Sequence, residues 1–361
     1  MSHWLLYGIT GYTGKLITRE AVKRGLKPVV AGRDRAKVER IAKEFGCECR
    51  VFALDDPQHV ADRLRDFRVV LNCAGPFART APTLMSACVK AGCSYLDITG
   101  ELDVIEQASR LNALAKRAGV TILPAVGFDV VPTDCLAALL KEELPSAVHL
   151  SLAFTGAAST SPGTTKTVLA SLPEGGRARI DGKIETVPVA WKKRTIPFST
   201  GVREATTIPW GDVSSAYHTT KIPNIDVYMA IDHLGAKRLR RLRKLAPLLR
   251  YRPVLKAAEW LVDRFVAGPI DDELVAERVS LWGEVRDADG LTASATLETP
   301  NGYLLTGITA VNAVERVLAG QAAPGFQTPA RAFGKEFIFG VPNVEFAWQH
   351  AATTDAGSAD A

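Results

Sequence analysis

Three glycines lie three residues apart, at positions 8, 11 and 14, directly after the apolar run 4–7. Glycine inside regular structure costs about 0.5–1 kcal/mol relative to alanine, so this spacing indicates a need for bare backbone. A helical pattern starts at once, and the unpaired N–H groups of a helix N-terminus bind phosphate. The alternative is a strand-to-helix turn that binds nothing. We predict that the turn holds a dinucleotide pyrophosphate through Gly8, Thr10, Gly11, Tyr12, Thr13 and Gly14.

The second predicted strand ends in the sequence Ala31-Gly32-Arg33-Asp34. NAD enzymes usually carry an acidic residue there, which binds the ribose 2′-hydroxyl. Arg33 could instead form a bidentate contact with a 2′-phosphate, and Arg35 or Lys37 could add charge. Asp34 argues against this interpretation unless it caps the next helix. The pattern favours NADP(H) over NAD(H).

A further loop follows the predicted strand 69–73. Ligands of open α/β sheets bind beyond the carboxyl ends of the strands, so this loop should border the ribose and nicotinamide. A plain turn with a packed phenylalanine is the alternative. The residues expected at the cofactor here are Asn72, Ala74, Gly75, Pro76 and Phe77.

Hydride transfer also requires a proton donor. Tyr95, Asp97 and Glu101 come at the end of the fifth predicted strand, and we expect them to face a cleft between domains. Asp97 and Glu101 could share a proton or orient a donor. The alternative is that an aspartate side chain caps the predicted helix 102–118. Asp129 borders the next strand-to-helix turn, where the same alternative holds.

Tyr217 and Lys221 have the Tyr-x-x-x-Lys spacing with which short-chain reductases lower a tyrosine pKa. That chemistry requires a helix, which brings both side chains onto one face. The intervening threonines and the following Ile222-Pro223 favour extended chain instead. We therefore expect the spacing to be a coincidence and Tyr217 to line a substrate pocket.

Alternating strands and helices must position these residues. Strands are predicted at 3–8, 28–31, 49–53, 69–73, 94–97 and 120–123, and helices near 14–24, 35–45, 57–66, 79–91 and 102–118. Strands that are apolar on both faces indicate a parallel sheet covered by helices. The fold class is therefore α/β: an N-terminal Rossmann-type, doubly wound parallel sheet, followed by a second, mixed α/β domain.

After residue 130 the regular alternation of predicted strands and helices ends. Helices are expected at 133–143, 165–172, 236–266 and 307–319, strands at 149–154, 276–286 and 292–299, and extended segments and loops over 177–230. We predict an NAD(P)-binding domain at 1–130 and a substrate-binding and dimerisation domain at 131–345, whose last segments could return to the first. A small, polar tail at 346–361 is expected to be disordered.

Composition excludes several classes of function. With 47% apolar residues and a formal net charge of +5, nothing favours nucleic acid as a partner. No apolar run could span a membrane and the first residues lack a signal-peptide pattern, so a cytoplasmic location is expected. The cysteines and histidines show no ligand spacing, which predicts no metal site.

Residues 237–252 contain eight lysines or arginines and no acidic residue, with leucines on one side of the predicted helix. Such a helix can lie on an anionic membrane surface or cover a partner. The more common alternative is a solvated face packed on its own domain.

Several motifs together resemble the saccharopine dehydrogenase-like oxidoreductases, and more narrowly the bacterial branch with the trans-acting enoyl reductases. They are Gly8-x-x-Gly11-Tyr12-Thr13-Gly14, Ala31-Gly32-Arg33, Gly75-Pro76-Phe77, 95–101 (YLDITGE), 127–134 (GFDVVPTD), Pro162-Gly163-Thr164, Gly268-Pro269 and 282–285 (WGEV). The family carries Ser-Gly-Gly-Thr at the sixth motif, so Pro162 replaces a glycine. The resemblance implies a Rossmann domain, a mixed second domain, NAD(P)-dependent hydride transfer and often a dimer.

Phe128, Asp129, Thr164 and Thr165 are the expected substrate contacts, because hydroxyls and N–H groups at a helix start can hold a carboxylate or phosphate. The resemblance implies an amino-acid-derived C=N substrate, an imine or secondary amine, at the domain interface. Two alternatives stay open. The substrate could be a C=C bond, as in enoyl reduction, or the chain could bind NADP as a redox sensor without turnover.

Overall fold

The first of two sheets is parallel and almost fully buried. The computed structural model describes residues 4–155, 160–230, 246–269 and 271–349. Within these residues the sheet contains β1 (Trp4–Tyr7), β2 (Val29–Gly32), β3 (Cys49–Val51), β4 (Val69–Asn72), β5 (Ser94–Asp97), β6 (Thr121–Leu123) and β15 (Gly325–Phe326). Their order is β15-β6-β5-β4-β1-β2-β3, the doubly wound arrangement of dinucleotide-binding folds. The predicted fold class is confirmed.

Helices cover both faces of this sheet. They are α1 (Tyr12–Lys23), α2 (Arg35–Phe45), α3 (Pro57–Leu64), α4 (Phe77–Ala91), α5 (Leu102–Arg110) and α6 (Asn112–Ala118). Local signals set their ends: Asp34 and Asp56 accept N-terminal N–H bonds, and Gly46 and Gly92 end helices in the left-handed conformation. The single helix predicted at 102–118 is wrong, because the chain breaks at Leu111.

The second sheet is mixed and continues along the described chain from β7 (His149–Thr155). Its other strands are β8 (Gly176–Ile180), β9 (Lys183–Val187), β10 (Lys193–Phe198), β11 (Gly201–Thr207), β12 (Asn224–Ala230), β13 (Arg278–Arg286), β14 (Thr292–Pro300) and β16 (Glu345–Gln349). The main path is β10-β11-β12-β7-β13-β14-β16, and β8 joins it through β12. The strands predicted at 276–286 and 292–299 correspond to β13 and β14, which pair as an antiparallel hairpin.

The helices of the second half are α7 (Val131–Glu143), α8 (Pro162–Ser171), α9 (Asp212–Thr220), α10 (Arg252–Phe265), α11 (Asp271–Ala276), α12 (Gly302–Leu318) and α13 (Pro329–Phe333). Short 3₁₀ turns occupy Leu172–Glu174, Ala246–Arg250 and Lys335–Gly340. The expectation of only extended segments and loops over 177–230 is wrong, because α9 forms within it.

The end of the chain returns to the first domain. Helix α12 packs on α1, and β15 pairs with β6 at the edge of the first sheet. Strand β16 pairs with β14. The predicted disordered tail 346–361 is therefore wrong in its first residues, which belong to this strand. The rest of that tail lies outside the described residues. So does most of the basic segment 237–252, of which 246–252 are described.

Candidate functional site

The glycine turn after β1 is shaped by close contact between two loops. Gly8 has φ +101°, and its N–H donates to the Ala31 carbonyl at 2.8 Å. A Cβ on Gly8 would lie 2.7 Å from the Ala74 nitrogen, so no larger residue fits without moving the β4 loop. Gly8 is therefore explained by backbone conformation and packing.

Gly14 and Gly11 differ in whether packing leaves space for a Cβ atom. A Cβ on Gly14 would lie 3.1 Å from the Gly8 carbonyl carbon and overlap the carbonyl oxygen, so close helix packing explains this glycine. A Cβ on Gly11 would be 3.4 Å from the Gly8 oxygen, in ordinary contact, and Gly11 has the extended φ of −77°. Packing therefore does not require glycine at position 11.

The turn lies at the topological switch point of the first sheet, between β1 and β4. Thr10 is exposed at its tip, and Tyr12 and Thr13 open α1. The Tyr12 hydroxyl donates to the Pro269 carbonyl at 2.8 Å, and its ring meets Tyr303 edge-on at 5.2 Å between centroids. The second half of the chain thus holds one side of the turn.

The end of β2 leaves Arg33 available for a ligand. Asp34 accepts the Lys37 N–H at 3.2 Å, so it caps α2 as the alternative interpretation required. Arg35 pairs with Glu39 at 2.8 Å. Arg33 is exposed and takes part in no ion pair among the described residues.

The loop after β4 is organised by a fully buried amide. Asn72 accepts the Ala74 N–H at 3.0 Å and donates to Thr80 and Tyr95 at 3.1 and 3.2 Å. Asn72 thus shapes the loop from beneath. Ala74 and Gly75 lie above it beside Gly8, and Pro76 and Phe77 lead into α4.

Tyr95 and Asp97 do not face the cleft, contrary to the expectation from sequence. Both are 0% exposed, and the Tyr95 hydroxyl donates to Asp97 at 2.8 Å. Asp97 also accepts the N–H groups of Thr99 and Ala125, at 3.0 and 2.8 Å, which ties β5 to the end of β6. Burial raises the pKa of Asp97 to about 6 despite these bonds. These contacts are those of a structural network.

Glu101 reaches across the cleft to the start of another helix. Its carboxylate accepts the N–H groups of Phe77 and Ala78 at 2.7 and 2.8 Å, which caps α4. Thr167 of α8 also donates to it at 3.4 Å. Burial raises the pKa of Glu101, and the two backbone bonds oppose that rise. Glu101 therefore links the start of α4 to α8.

Asp129 places a second carboxyl next to Glu101. A Cβ on Gly100 would lie 2.9 Å from the Asp129 Cγ, so the glycine makes room for this side chain. Burial, and then the charge of Glu101, raise the pKa of Asp129 to about 7. No hydrogen bond joins the Asp129 carboxyl to another described residue, whereas its main-chain carbonyl accepts the Trp210 indole N–H at 2.7 Å.

The other predicted substrate contacts gather at the start of α12. The Phe128 ring packs on Gly302, and its N–H donates to Thr306 at 2.9 Å. Thr164 lies 3.1 Å from the Tyr303 hydroxyl, and Thr165 donates to the Ser161 carbonyl at 3.1 Å. These contacts bring α8 over the same cleft as Glu101 and Tyr12.

Tyr217 is helical, so the expected extended chain is wrong. It lies on α9, and Lys221 follows as the left-handed cap with φ +62°. The Arg179 guanidinium covers the Tyr217 ring at 4.1 Å, and the Lys221 ammonium is 5.2 Å from its centroid. These contacts place Tyr217 with the ion pair Arg179–Glu106 rather than with Asp129.

Sequence reasoning missed the aromatic side chains that close the cleft. Trp210 stacks on Phe154 at 4.9 Å between centroids, and Phe154 meets Phe128 at 6.1 Å. Tyr303 links the α8 turn to Tyr12. The local signal for each was weak, since a single aromatic residue after a strand or at a helix start is common. No group of described histidine, cysteine, aspartate or glutamate residues has the geometry to hold a metal ion.

The fold and the turn define an NAD(P)-binding protein in which a parallel sheet is combined with a second, mixed sheet. Residues 4–123 match the family model of the saccharopine dehydrogenase NADP-binding domain. This part of the chain is therefore similar to the NADP-binding domain of the saccharopine dehydrogenases, in agreement with the motifs.

Curated relatives match the same region. The human saccharopine dehydrogenase-like oxidoreductase is 28% identical over 152 residues, covering 37% of this chain and 35% of that protein. The trans-acting enoyl reductase of Mycobacterium tuberculosis is 32% identical over 142 residues, covering 36% and 33%. The matched part thus spans about a third of the relatives' length.

The fold of the whole chain is shared more widely. Apo saccharopine dehydrogenase (L-Glu forming) from Saccharomyces cerevisiae superposes with a TM-score of 0.66 over 97% of this chain and 100% of that one, at 16% identity. This likeness extends the shared fold through the second sheet. Among the described helices, none is long and apolar enough to cross a membrane.

Proposed function

We propose that this protein is an NADPH-dependent oxidoreductase that transfers hydride to or from an amino-acid-derived C=N bond in the cleft between its domains. The observation that carries the proposal is the alignment of three features along one edge of the first sheet. They are the glycine turn, the capped β4 loop, and the carboxyl of Asp129.

The cofactor assignment rests on the turn and on Arg33. Gly11 is unconstrained by packing, and the α1 N-terminus behind it offers N–H donors to a pyrophosphate. Arg33 is exposed and has no ion pair within the described chain, so its guanidinium is available to a 2′-phosphate. These features favour NADPH over NADH.

The substrate assignment rests on charge. Asp129 and Glu101 lie next to each other, and the charge of Glu101 raises the pKa of Asp129. A protonated imine or amine between them would relieve that repulsion. With a pKa of about 7, Asp129 can also give and take a proton near neutral pH. When bound, the nicotinamide supplies the hydride; the chain orients the substrate and excludes water.

The aromatic wall of Phe128, Phe154 and Trp210 favours a second candidate, reduction of a C=C bond in an apolar acyl group. A protein that binds NADP as a sensor would show no turnover on either substrate. These possibilities share the cofactor site and differ in what happens beside Asp129.

One experiment separates them. Purified protein and NADPH are mixed with cyclic imines, amine and keto-acid pairs, and enoyl thioesters, and absorbance at the nicotinamide band is followed. Consumption with imines, lost in Asp129→Asn, supports the proposal. Consumption with enoyl thioesters alone supports C=C reduction. Tight NADPH binding without turnover across the panel overturns the enzymatic assignment.

A further inference from the structure

Helix α10 exposes an apolar stripe that no other described part of the chain covers. Val254, Leu261 and Phe265 are spaced seven and four residues apart, so they share one side of the helix with Tyr251 at its start. Tyr251 is 65% exposed and Phe265 77%. Trp260, on a neighbouring side, is 63% exposed. We name these five residues the α10 face.

An adjoining side of α10 is attached to the protein. Val262 is buried, and Glu259 turns inward to pair with Arg79 at 3.0 Å. The helix also packs on α8. The orientation of the α10 face is therefore set by contacts of its inner side, and the acidic charge of Glu259 is neutralised away from the surface.

Positive charge surrounds the α10 face. Arg252, Lys256 and Arg264 are exposed on the same helix. In sequence, residues 237–250 add seven further lysines or arginines and no acidic residue. Trp, Tyr and Phe side chains beside Lys and Arg are the composition of helices that lie in a membrane interface.

We propose that the α10 face docks on the surface of an anionic lipid bilayer. The aromatic and aliphatic side chains enter the headgroup boundary, and the cations contact lipid phosphates and carboxylates. Exposed apolar side chains beside the cations Arg252, Lys256 and Arg264 favour a lipid surface with anionic headgroups as the occupant.

Docking there would bring the cleft close to the bilayer. Beyond α10 the chain reaches Gly268 and Pro269, which contact Tyr12 of the glycine turn. Arg79, which holds Glu259, lies in the first turn of α4 beside the β4 loop. The docked protein would therefore present the entrance of its nucleotide cleft next to the membrane surface.

The test uses the full-length protein and sucrose-loaded vesicles of phosphatidylcholine with about 30% phosphatidylserine, at about 0.05 M and 0.5 M salt. We expect sedimentation with these vesicles at low salt, at least about tenfold weaker binding to pure phosphatidylcholine, and release at high salt. The double variant Trp260→Ala/Phe265→Ala should bind at least about tenfold more weakly. Val202→Ala, at an apolar residue that is 69% exposed on β11, is the matched control and should bind normally.

Other outcomes overturn the proposal. Equal binding by the double variant and the control would show that the α10 face is not used. Binding to neutral vesicles that does not change with salt would exclude an electrostatic contribution of the lysines and arginines. A double variant that melts at a much lower temperature would show that the chain covers this face itself. A change from dimer to monomer without vesicle binding would assign it to a second copy. NADPH titration in solution is a separate readout, so failure of the enzymatic proposal leaves this one testable.

Discussion

Gly11→Ala separates a glycine required by a ligand from glycines required by the fold. At position 11 a Cβ meets the Gly8 oxygen at 3.4 Å and the Cys73 oxygen at 3.8 Å, both ordinary contacts. The backbone there is extended, which alanine adopts freely. We expect the free energy of unfolding to change by less than about 1 kcal/mol, the scale of an N-cap exchange.

The effect on nucleotide binding should be much larger. In the proposed cofactor site, the added methyl group would stand between a bound pyrophosphate and the first N–H groups of α1. A hydrogen bond to a charged group contributes about 1.5–3 kcal/mol, so losing two costs about 3–6 kcal/mol. The Kd for NADPH should rise by about 10²- to 10⁴-fold. Isothermal titration calorimetry measures the Kd, and thermal unfolding of the free protein measures stability.

Gly14→Ala is the matched control, because its Cβ would overlap the Gly8 carbonyl. This variant should lose about 1–3 kcal/mol of stability as the backbone shifts. Finding that folded Gly11→Ala binds NADPH within about threefold of the parent would refute the reasoning, since about 0.7 kcal/mol is too little for a blocked pyrophosphate.

Three further substitutions test other parts of the cleft. Arg33→Ala should lower the preference for NADPH over NADH by about 10-fold or more, through loss of a charged contact; an unchanged ratio of Kd values would assign the 2′-phosphate to another group. Glu101→Gln should lower stability by about 0.5–2 kcal/mol, because a neutral amide caps α4 less well; urea unfolding at pH 7 measures it. Burial raises the pKa of Asp129 to about 7 from an ordinary 3.8, so the native state holds the extra proton and loses stability as pH rises from about 4 to 7. Asp129→Asn should remove that loss and gain about 2–4 kcal/mol at pH 8 in the absence of ligand; parallel pH–stability curves for the two proteins would contradict the shift.

The strands and helices of the first domain could be predicted because each is encoded locally. Strands such as 69–72 are apolar on both faces, and Asp34, Asp56 and Gly46 mark helix ends within the segments they terminate. Helix α9 was missed for the opposite reason. Its β-branched threonines favour extended chain, but packing against α7 and α5 buries Val213 and Ala216 and outweighs that preference.

Contacts with residues distant in sequence place the candidate site residues differently from the prediction. Glu101 was expected to face the cleft with Tyr95 and Asp97, yet it caps α4, which begins 24 residues earlier at Phe77. Tyr95 and Asp97 lie in β5, and both side chains are buried. They form hydrogen bonds to β4 and to the end of β6. Alternation along a strand shows which residues share a face, but it does not show which face the second domain leaves open.

The sequence by itself determined the parallel sheet and the glycine turn, because strand burial, helix caps and glycine spacing act over a few residues. Only the tertiary structure decided which carboxyl stands in the cleft. In the sequence, Asp129 is one acidic residue among several. In the structure, Gly100 leaves space for its side chain, Glu101 is bound to α4, and Trp210 of the second half of the chain bonds its main-chain carbonyl. Burial and neighbouring charge set a pKa, and both are properties of the folded chain.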